Sequence, residues 1–119
     1  MKTSFKYFTL DEFVCSETGN NEIKEEFVLR LDNLRHLIGL PLIITSGYRD
    51  PKHSAEVSKP NGGGTHTKGI AADIACHSGA LRYEIIKHAL LLGFTGIGIA
   101  KSFVHLDTRD TTPAVVWTY

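Results

Sequence analysis

The strongest constraint on this chain is one aspartate inside an apolar run, in the stretch THTKGIAADI at residues 65–74. Asp73 has alanines and isoleucines around it, and the three glycines of residues 62–64 precede the stretch. Burying an unpaired carboxylate is costly because the charge loses its hydration. The fold must therefore give Asp73 a partner, which can be a proton donor, an arginine or a metal ion.

Residues 69–75 have the pattern of a β-strand, in which successive side chains point to opposite faces. The apolar face of this predicted strand consists of Ile70, Ala72 and Ile74. Asp73 projects from the other face, where its neighbours are small alanines. Small neighbours leave room for a bound group beside the carboxylate.

A second predicted strand, residues 103–107, repeats this design. Val104 and Leu106 face the core, whereas His105 and Asp107 project together from the opposite face. A histidine and an aspartate are therefore expected beside the first strand if the two strands lie in one sheet.

His66 lies in the loop that enters the first predicted strand, after glycines that permit close turns. His66, Asp73 and His105 can then converge as two imidazoles and one carboxylate. Three such ligands with a fourth position for water are typical of a catalytic zinc site, although cobalt, nickel or manganese also suit these ligands. Each motif alone is weak, and the alternative is a capped loop beside a surface strand.

The rest of the pattern predicts an α+β fold with a small antiparallel sheet, in a single domain over residues 1–119. Helices are predicted after Thr9, between Asn21 and Gly39, over residues 50–57 and between Ser78 and Gly93, and strands over residues 42–45, 69–75, 94–100 and 103–107. The apolar tail, residues 113–119, is expected to pack back on the body of the domain.

The formal net charge of zero argues against a nucleic-acid or anionic-membrane partner. No apolar run is long enough for a transmembrane segment, and the N-terminus lacks the apolar core of a secretory signal. Cys15 and Cys76 are far apart and are expected to be reduced and buried. We therefore expect a protein made in the cytoplasm, without a membrane segment, and monomeric.

Three motifs occur in order: SGYRDPKH at residues 46–53, the His-x2-Gly-x-Ala-x-Asp segment at residues 66–73 and His-x-Asp at residues 105–107. Together they resemble the zinc D-alanyl-D-alanine carboxypeptidase family, which includes related phage endolysins. The resemblance runs from about residue 8 to the end of the chain. It implies a hedgehog/DD-peptidase-like fold, a small antiparallel sheet flanked by helices. It also implies one Zn²⁺ ion held by His66, Asp73 and His105, and a peptidoglycan peptide as substrate.

Two residues are candidates for catalysis. Arg49, in a turn after a strand, can bind a substrate carboxylate or stabilise an oxyanion, and the alternative is a structural salt bridge to Asp50 or Asp107. Asp107 is either the general base or the partner that holds the His105 ring.

The general base stays open, because Ser102 and Phe103 stand where many relatives carry an acidic residue or a histidine. The candidate substrate-binding residues are Ser46, Tyr48, His53 and Thr65. For each of them a structural role is the alternative: a turn hydroxyl, a packed ring, a surface histidine and a loop cap.

The resemblance predicts a zinc peptidase that hydrolyses an amide bond in peptidoglycan, either a carboxypeptidase or an endopeptidase. Loop 58–64 is where the choice of bond is expected to be decided. Such an enzyme suits phage or prophage lysis, or a phage tail, and acts on the cell wall after release or as part of a phage particle. The alternative is a non-catalytic zinc-binding module that binds cell-wall peptides.

Overall fold

A five-stranded sheet with two α-helices forms the fold in the computed structural model, which describes residues 5–111 and 113–119. The strands are β1 (Ile44–Ser46), β2 (Ala71–Ala75), β3 (Gly96–Ile99), β4 (Phe103–Asp107) and β5 (Val115–Thr118). The helices are α1 (Glu25–Ile38) and α2 (Gly79–Leu91), with short 3₁₀ helices at Leu10–Phe13, Pro60–Gly62 and Thr65–Lys68. The predicted α+β class, a small sheet flanked by helices, is confirmed.

The sheet has the strand order β1-β2-β4-β3-β5. β1 with β2, β2 with β4, and β3 with β4 pair antiparallel, as predicted. The tail packs back by forming β5, which pairs parallel with β3 and makes the sheet mixed. In the register of β2 and β4, Asp73 lies directly opposite His105.

The end of α1 and the start of α2 lie at the residues that the sequence marks, whereas α1 begins at Glu25, after Lys24, and not directly after Asn21. Gly39 ends α1 in a left-handed conformation with φ of 76°, which glycine adopts without steric cost. The hydroxyl of Ser78 accepts a hydrogen bond from the backbone N–H of Leu81 and caps α2. Among the described residues, no helix is long and apolar enough to cross a membrane.

One face of the sheet packs on the helices and forms the core. β2 and β4 contribute Ala72, Ile74, Val104 and Leu106, which pack with α1 and α2 residues such as Phe27, Leu31, Leu34, Ile85 and Ala89. Both cysteines are free and buried, as expected. Because the alternate residues of β2 and β4 point away from this core, the polar side chains collect on the opposite face.

The predicted helix over residues 50–57 is wrong, since residues 51–59 form consecutive turns. The backbone N–H of His53 donates to the carbonyl oxygen of Asp50, and the backbone N–H of Glu56 donates to the carbonyl oxygen of His53. Each of these hydrogen bonds spans three residues, as in a turn. The carboxylate of Glu56 is buried and accepts a hydrogen bond from the backbone N–H of Gly64. This long-range contact outweighs the local helix signal, an aspartate followed by a proline.

Asp32 on α1 anchors the segment that precedes the first 3₁₀ helix. Its carboxylate accepts hydrogen bonds from the backbone N–H groups of Lys6, Tyr7 and Phe8, at 2.9, 2.8 and 3.3 Å. The Asp32 side chain is buried, and it supplies one acceptor group to three successive backbone donors.

Replacing this carboxylate should loosen the N-terminal segment. We expect Asp32→Asn to lower the free energy of unfolding by about 1–3 kcal/mol, because the amide loses the charge-assisted hydrogen bonds. Urea denaturation measures the change, with the exposed Asp110→Asn as the matched control. A loss no larger than that of the control would show that the segment does not depend on Asp32.

Candidate metal centre

Three buried side chains converge on the polar face of the sheet. His66 comes from the 3₁₀ helix Thr65–Lys68, Asp73 from β2 and His105 from β4. Asp73 Oδ1 lies 3.1 Å from His105 Nδ1 and 3.4 Å from His66 Nε2. Each residue offers one ligand atom, and the three atoms lie within 4.8 Å of one another.

Each histidine is held by its other ring nitrogen. His66 Nδ1 lies 2.7 Å from the carbonyl oxygen of Gly47, and His105 Nε2 lies 2.7 Å from Asp107 Oδ2. Both partners accept a hydrogen bond, so these nitrogens carry the protons when the rings are neutral. With a metal ion bound, the lone pairs of the remaining nitrogens would point to the ion beside Asp73. Without the ion, these nitrogens lie within reach to donate to the Asp73 carboxylate.

The electrostatics of the cluster keep both aspartates ionised. Burial alone would raise the pKa of Asp73, but hydrogen bonds to His105 and His66 hold that pKa far below the usual range. Burial alone would also raise the pKa of Asp107, but hydrogen bonds from His105 and Arg109 lower it below the usual range. Burial would lower the pKa of His105, whereas its bonds to Asp107 and Asp73 raise it. A metal ion bound there would displace the proton that Asp73 attracts to His105 Nδ1, while Nε2 keeps its proton toward Asp107.

The cluster fits zinc in chemistry and in spacing. Two imidazole nitrogens and one carboxylate oxygen form a common catalytic zinc set. Tetrahedral ligands with bonds of about 2.1 Å lie about 3.4 Å apart. The separations of 3.1 and 3.4 Å around Asp73 Oδ1 agree with that geometry. His66, Asp73 and His105 are therefore a possible metal site.

Arg49 lies beside the cluster. Its Nη1 is 3.0 Å from Glu56 Oε2, its Nη2 is 3.6 Å from Asp73 Oδ2, and its Nε–H donates to the hydroxyl of Ser46. The expected alternative partners are engaged elsewhere: Asp50 accepts a hydrogen bond from Asn20, and Asp107 pairs with Arg109. Arg49 keeps 20 % of its side chain exposed, so the guanidinium can still reach a ligand.

The loops that carry His66 and Arg49 are joined by two hydrogen bonds. The ring of His66 bonds to the carbonyl of Gly47, and the backbone N–H of Arg49 donates to the carbonyl of His66. A residue proposed to hold the metal and a residue proposed to bind substrate therefore belong to one connected unit.

A cavity of about 400 Å³ opens over the cluster. Its lining consists of Arg49, Lys59, Gly64, Thr65, His66, Asp73, Phe103, His105, Arg109, Trp117 and Tyr119. Of the four candidate substrate-binding residues, Thr65 lies in this lining and Ser46 contacts Arg49. Tyr48 is buried, and its hydroxyl donates a hydrogen bond to Glu22. His53 pairs with Glu17. Tyr48 and His53 therefore lie apart from the cavity.

Asp107 has no free oxygen. Oδ2 binds the His105 ring and Arg109 Nη2, and Oδ1 accepts from the backbone N–H and Nε–H of Arg109. The side chain is fully buried. Of the two roles that the sequence left open, this environment favours holding the His105 ring over accepting a substrate proton.

The contacts that assemble several parts of the site are absent from the sequence-based predictions. Glu56, Arg109 and the position of Trp117 depend on contacts between distant segments. The alternating glycines of β3 were a usable signal, since Gly96 and Gly98 share a face. Their register partners are Asp107 and His105, and the missing side chains leave room for the Asp107 carboxylate and the Trp117 ring against β3.

A family model described as Peptidase M15 matches residues 6–107, a range that includes all three clustered side chains. The search of curated proteins found no match.

Removing the charge of Asp107 should weaken metal binding. We expect Asp107→Asn to lower the affinity for zinc about 10–100-fold, because the partner that orients a ligand imidazole loses its charge. Competition with a chromophoric chelator measures the affinity, and Asp110→Asn is the control. Equal affinities for the two variants would mean that Asp107 does not support the site.

Acid should destabilise the metal-free protein through Asp107. The pKa of an aspartate in an unfolded chain is about 4. The pKa of Asp107 in the folded protein lies below that value, so the folded carboxylate binds a proton only at lower pH. Its contribution to stability is therefore complete above that range and is lost as the pH falls through it. We expect Asp107→Asn to flatten the acid limb of unfolding free energy against pH, measured by denaturation in a metal chelator. Identical acid limbs would contradict this assignment.

Proposed function

The chain belongs to the peptidase M15 family, and from that premise we propose that it is a zinc peptidase that hydrolyses an amide bond in peptidoglycan stem peptides or cross-links. The observation that carries the proposal is the convergence of His66, Asp73 and His105 at a cavity that Arg49 also lines. Action on the cell wall after release from the cell, or within a phage particle, is part of the same proposal.

The metal would be held by His66 Nε2, Asp73 Oδ1 and His105 Nδ1. Zinc bound there supplies Lewis-acid chemistry, which polarises a carbonyl and activates water near neutral pH. Asp107 holds the His105 ring and Gly47 holds the His66 ring, so the ligand nitrogens keep their direction. This fixed arrangement costs little reorganisation during the reaction.

Arg49 would act on the substrate oxygen. Glu56 and Ser46 hold its guanidinium, while its exposed edge faces the cavity. A cation fixed in this way stabilises negative charge that develops on the scissile carbonyl, or binds a carboxylate next to the bond. Glu56 thereby acts as a positioning residue for Arg49.

One observation favours the alternative, a zinc-binding module that holds cell-wall peptides without cutting them. Among the described residues that line the cavity, Asp73 is the only carboxylate, and it belongs to the metal cluster. Ser102 is exposed, and Phe103 presents an apolar ring to the cavity. A peptidase with this lining has to deprotonate water without a separate carboxylate base.

Turnover separates the two functions. Zinc-loaded protein is incubated with purified muropeptides, and the products are identified by mass spectrometry. The masses of the products also show which bond is hydrolysed. We expect a product that His66→Ala does not form and that His36→Ala, a histidine variant on α1 away from the cluster, still forms. Intact muropeptides with folded, zinc-containing protein would support the binding module instead.

Loss of the Arg49 guanidinium should lower activity without removing the metal. We expect Arg49→Gln to reduce kcat/KM about 10²–10³-fold, the effect of removing one donor to a developing oxyanion. The zinc content of the purified variant should equal that of the parent protein. A variant that loses activity only in proportion to its zinc would show that Arg49 serves the metal site and not the substrate.

A further inference from the structure

We propose that Arg109 forms a second carboxylate-binding position, across the metal centre from Arg49, and that it makes the cavity select peptides with a carboxylate on that side. This inference rests on the proposed peptidase function and names a chemical feature of its substrate. Three observations support it: the exposed cations of the cavity lining, the anchoring of Arg109, and the two glycines of β3 against which its partners pack.

Arg109 is held in place on two sides. Its Nε–H and Nη2–H donate to the two oxygens of Asp107, at 2.9 and 2.6 Å. Its guanidinium carbon lies 5.0 Å from the ring centroid of Trp117, a cation–π contact. Within residues 5–111 and 113–119, no hydrogen bond involves Nη1 of Arg109. The side chain therefore combines a fixed orientation with donors that remain available.

The face of β3 toward the cavity is shaped for this arrangement. A Cβ atom at Gly98 would lie 2.8 Å from Trp117 Cε2, and a Cβ atom at Gly96 would overlap the carboxylate of Asp107. Glycine inside a strand often marks a close approach by another group. Two glycines on one face therefore let the carboxylate and the indole, which together orient Arg109, lie against the sheet.

The sheet order places the two arginines on opposite sides of the metal cluster. Arg49 follows β1, whereas Arg109 follows β4 and stacks on Trp117 of β5. Asp73 and His105 lie between them, on β2 and β4. Neighbouring strands are about 4.8 Å apart, and an extended peptide advances about 3.4 Å per residue. A peptide lying across the strands would thus reach the two cations with groups on either side of the metal.

The charges that the cavity presents are mainly positive. The side chains of Glu56 and Asp107 are fully buried and paired, and that of Asp73 is 10 % exposed, whereas those of Arg49, Arg109 and Lys59 are 20, 27 and 47 % exposed. The whole chain has a net charge of zero, so this positive character is local. A carboxylate gains a charge-assisted, forked contact with an arginine, and a carboxamide of the same shape does not.

The test compares peptides that differ in one group. The peptides are a stem pentapeptide with a free D-glutamate α-carboxylate, the same peptide with that group as a carboxamide, and the same peptide with a C-terminal carboxamide. Binding to the metal-free 119-residue chain is followed by calorimetry and by the emission of Trp117, the only tryptophan of this sequence. Hydrolysis by the zinc-loaded chain gives kcat and KM for each peptide.

We expect the parent protein to prefer a carboxylate about tenfold at each of the two positions. Arg109→Gln should abolish the preference for a carboxylate over a carboxamide at one of these two positions and keep it at the other position. Arg49→Gln should abolish the preference at that other position. Arg109→Lys keeps the charge but not the fork, so part of the preference should remain. Lys87→Gln, an exposed charge change on α2, is the control and should leave both preferences intact.

Retention of both preferences by Arg109→Gln, or an equal loss of affinity for all three peptides, would overturn the inference and leave Arg109 as a structural partner of Asp107. Because that variant disturbs Asp107, Trp117→Leu, followed by calorimetry and hydrolysis, provides a second test that keeps the Asp107–Arg109 pair and removes the stacking surface. It should lower the same preference, and an unchanged preference would count against the inference.

The binding and kinetic arms separate this inference from the proposed function. Cleavage with equal kcat/KM for acid and amide peptides would refute the inference while the peptidase stands. Binding with an Arg109-dependent preference, but without cleavage, would support the inference while the proposed peptidase activity fails.

Discussion

The antiparallel pairing of β2 with β4 is the constraint on which the site depends. Its register sets Asp73 directly opposite His105, and the strands place Ala72, Ile74, Val104 and Leu106 in the core. A slip of one residue would exchange the two faces, burying the carboxylate and the imidazole among the helices. The hydrophobic core therefore specifies the geometry of the polar cluster, because both depend on the same register.

Much of this arrangement follows from the sequence by alternation alone. The apolar residues of β2 and β4 identify the core face, and the convergence of His66, Asp73 and His105 then follows from a short glycine-rich loop. Caps at Gly39 and Ser78 also follow from local chemistry. Such features are predictable since each depends on a few neighbouring residues.

The rest of the site depends on contacts that no local pattern records. Glu56 is buried because Arg49, Lys59 and Gly64 surround it, so residues 51–59 adopt turns where a helix was predicted. The parallel pairing of β5 with β3 likewise joins the tail to a distant strand, and it sets Trp117 beside His105 with ring centroids 5.1 Å apart. The choice between two roles for Asp107 needed the position of Arg109, which spacing alone does not give.

The two hydrogen bonds between the His66 segment and the turn from Gly47 to Arg49 have a thermodynamic consequence. If His66 and Arg49 have the roles proposed for them, an ion that fixes the His66 ring would also restrain the loop that carries the arginine, and a carboxylate bound to the arginine would restrain the ring in return. Any such coupling is reciprocal, because the two ligands must change each other's affinity by the same factor. Occupancy of the metal site and affinity for substrate would then be one linked equilibrium, in which an anionic peptide helps the protein to retain its ion when metal is scarce.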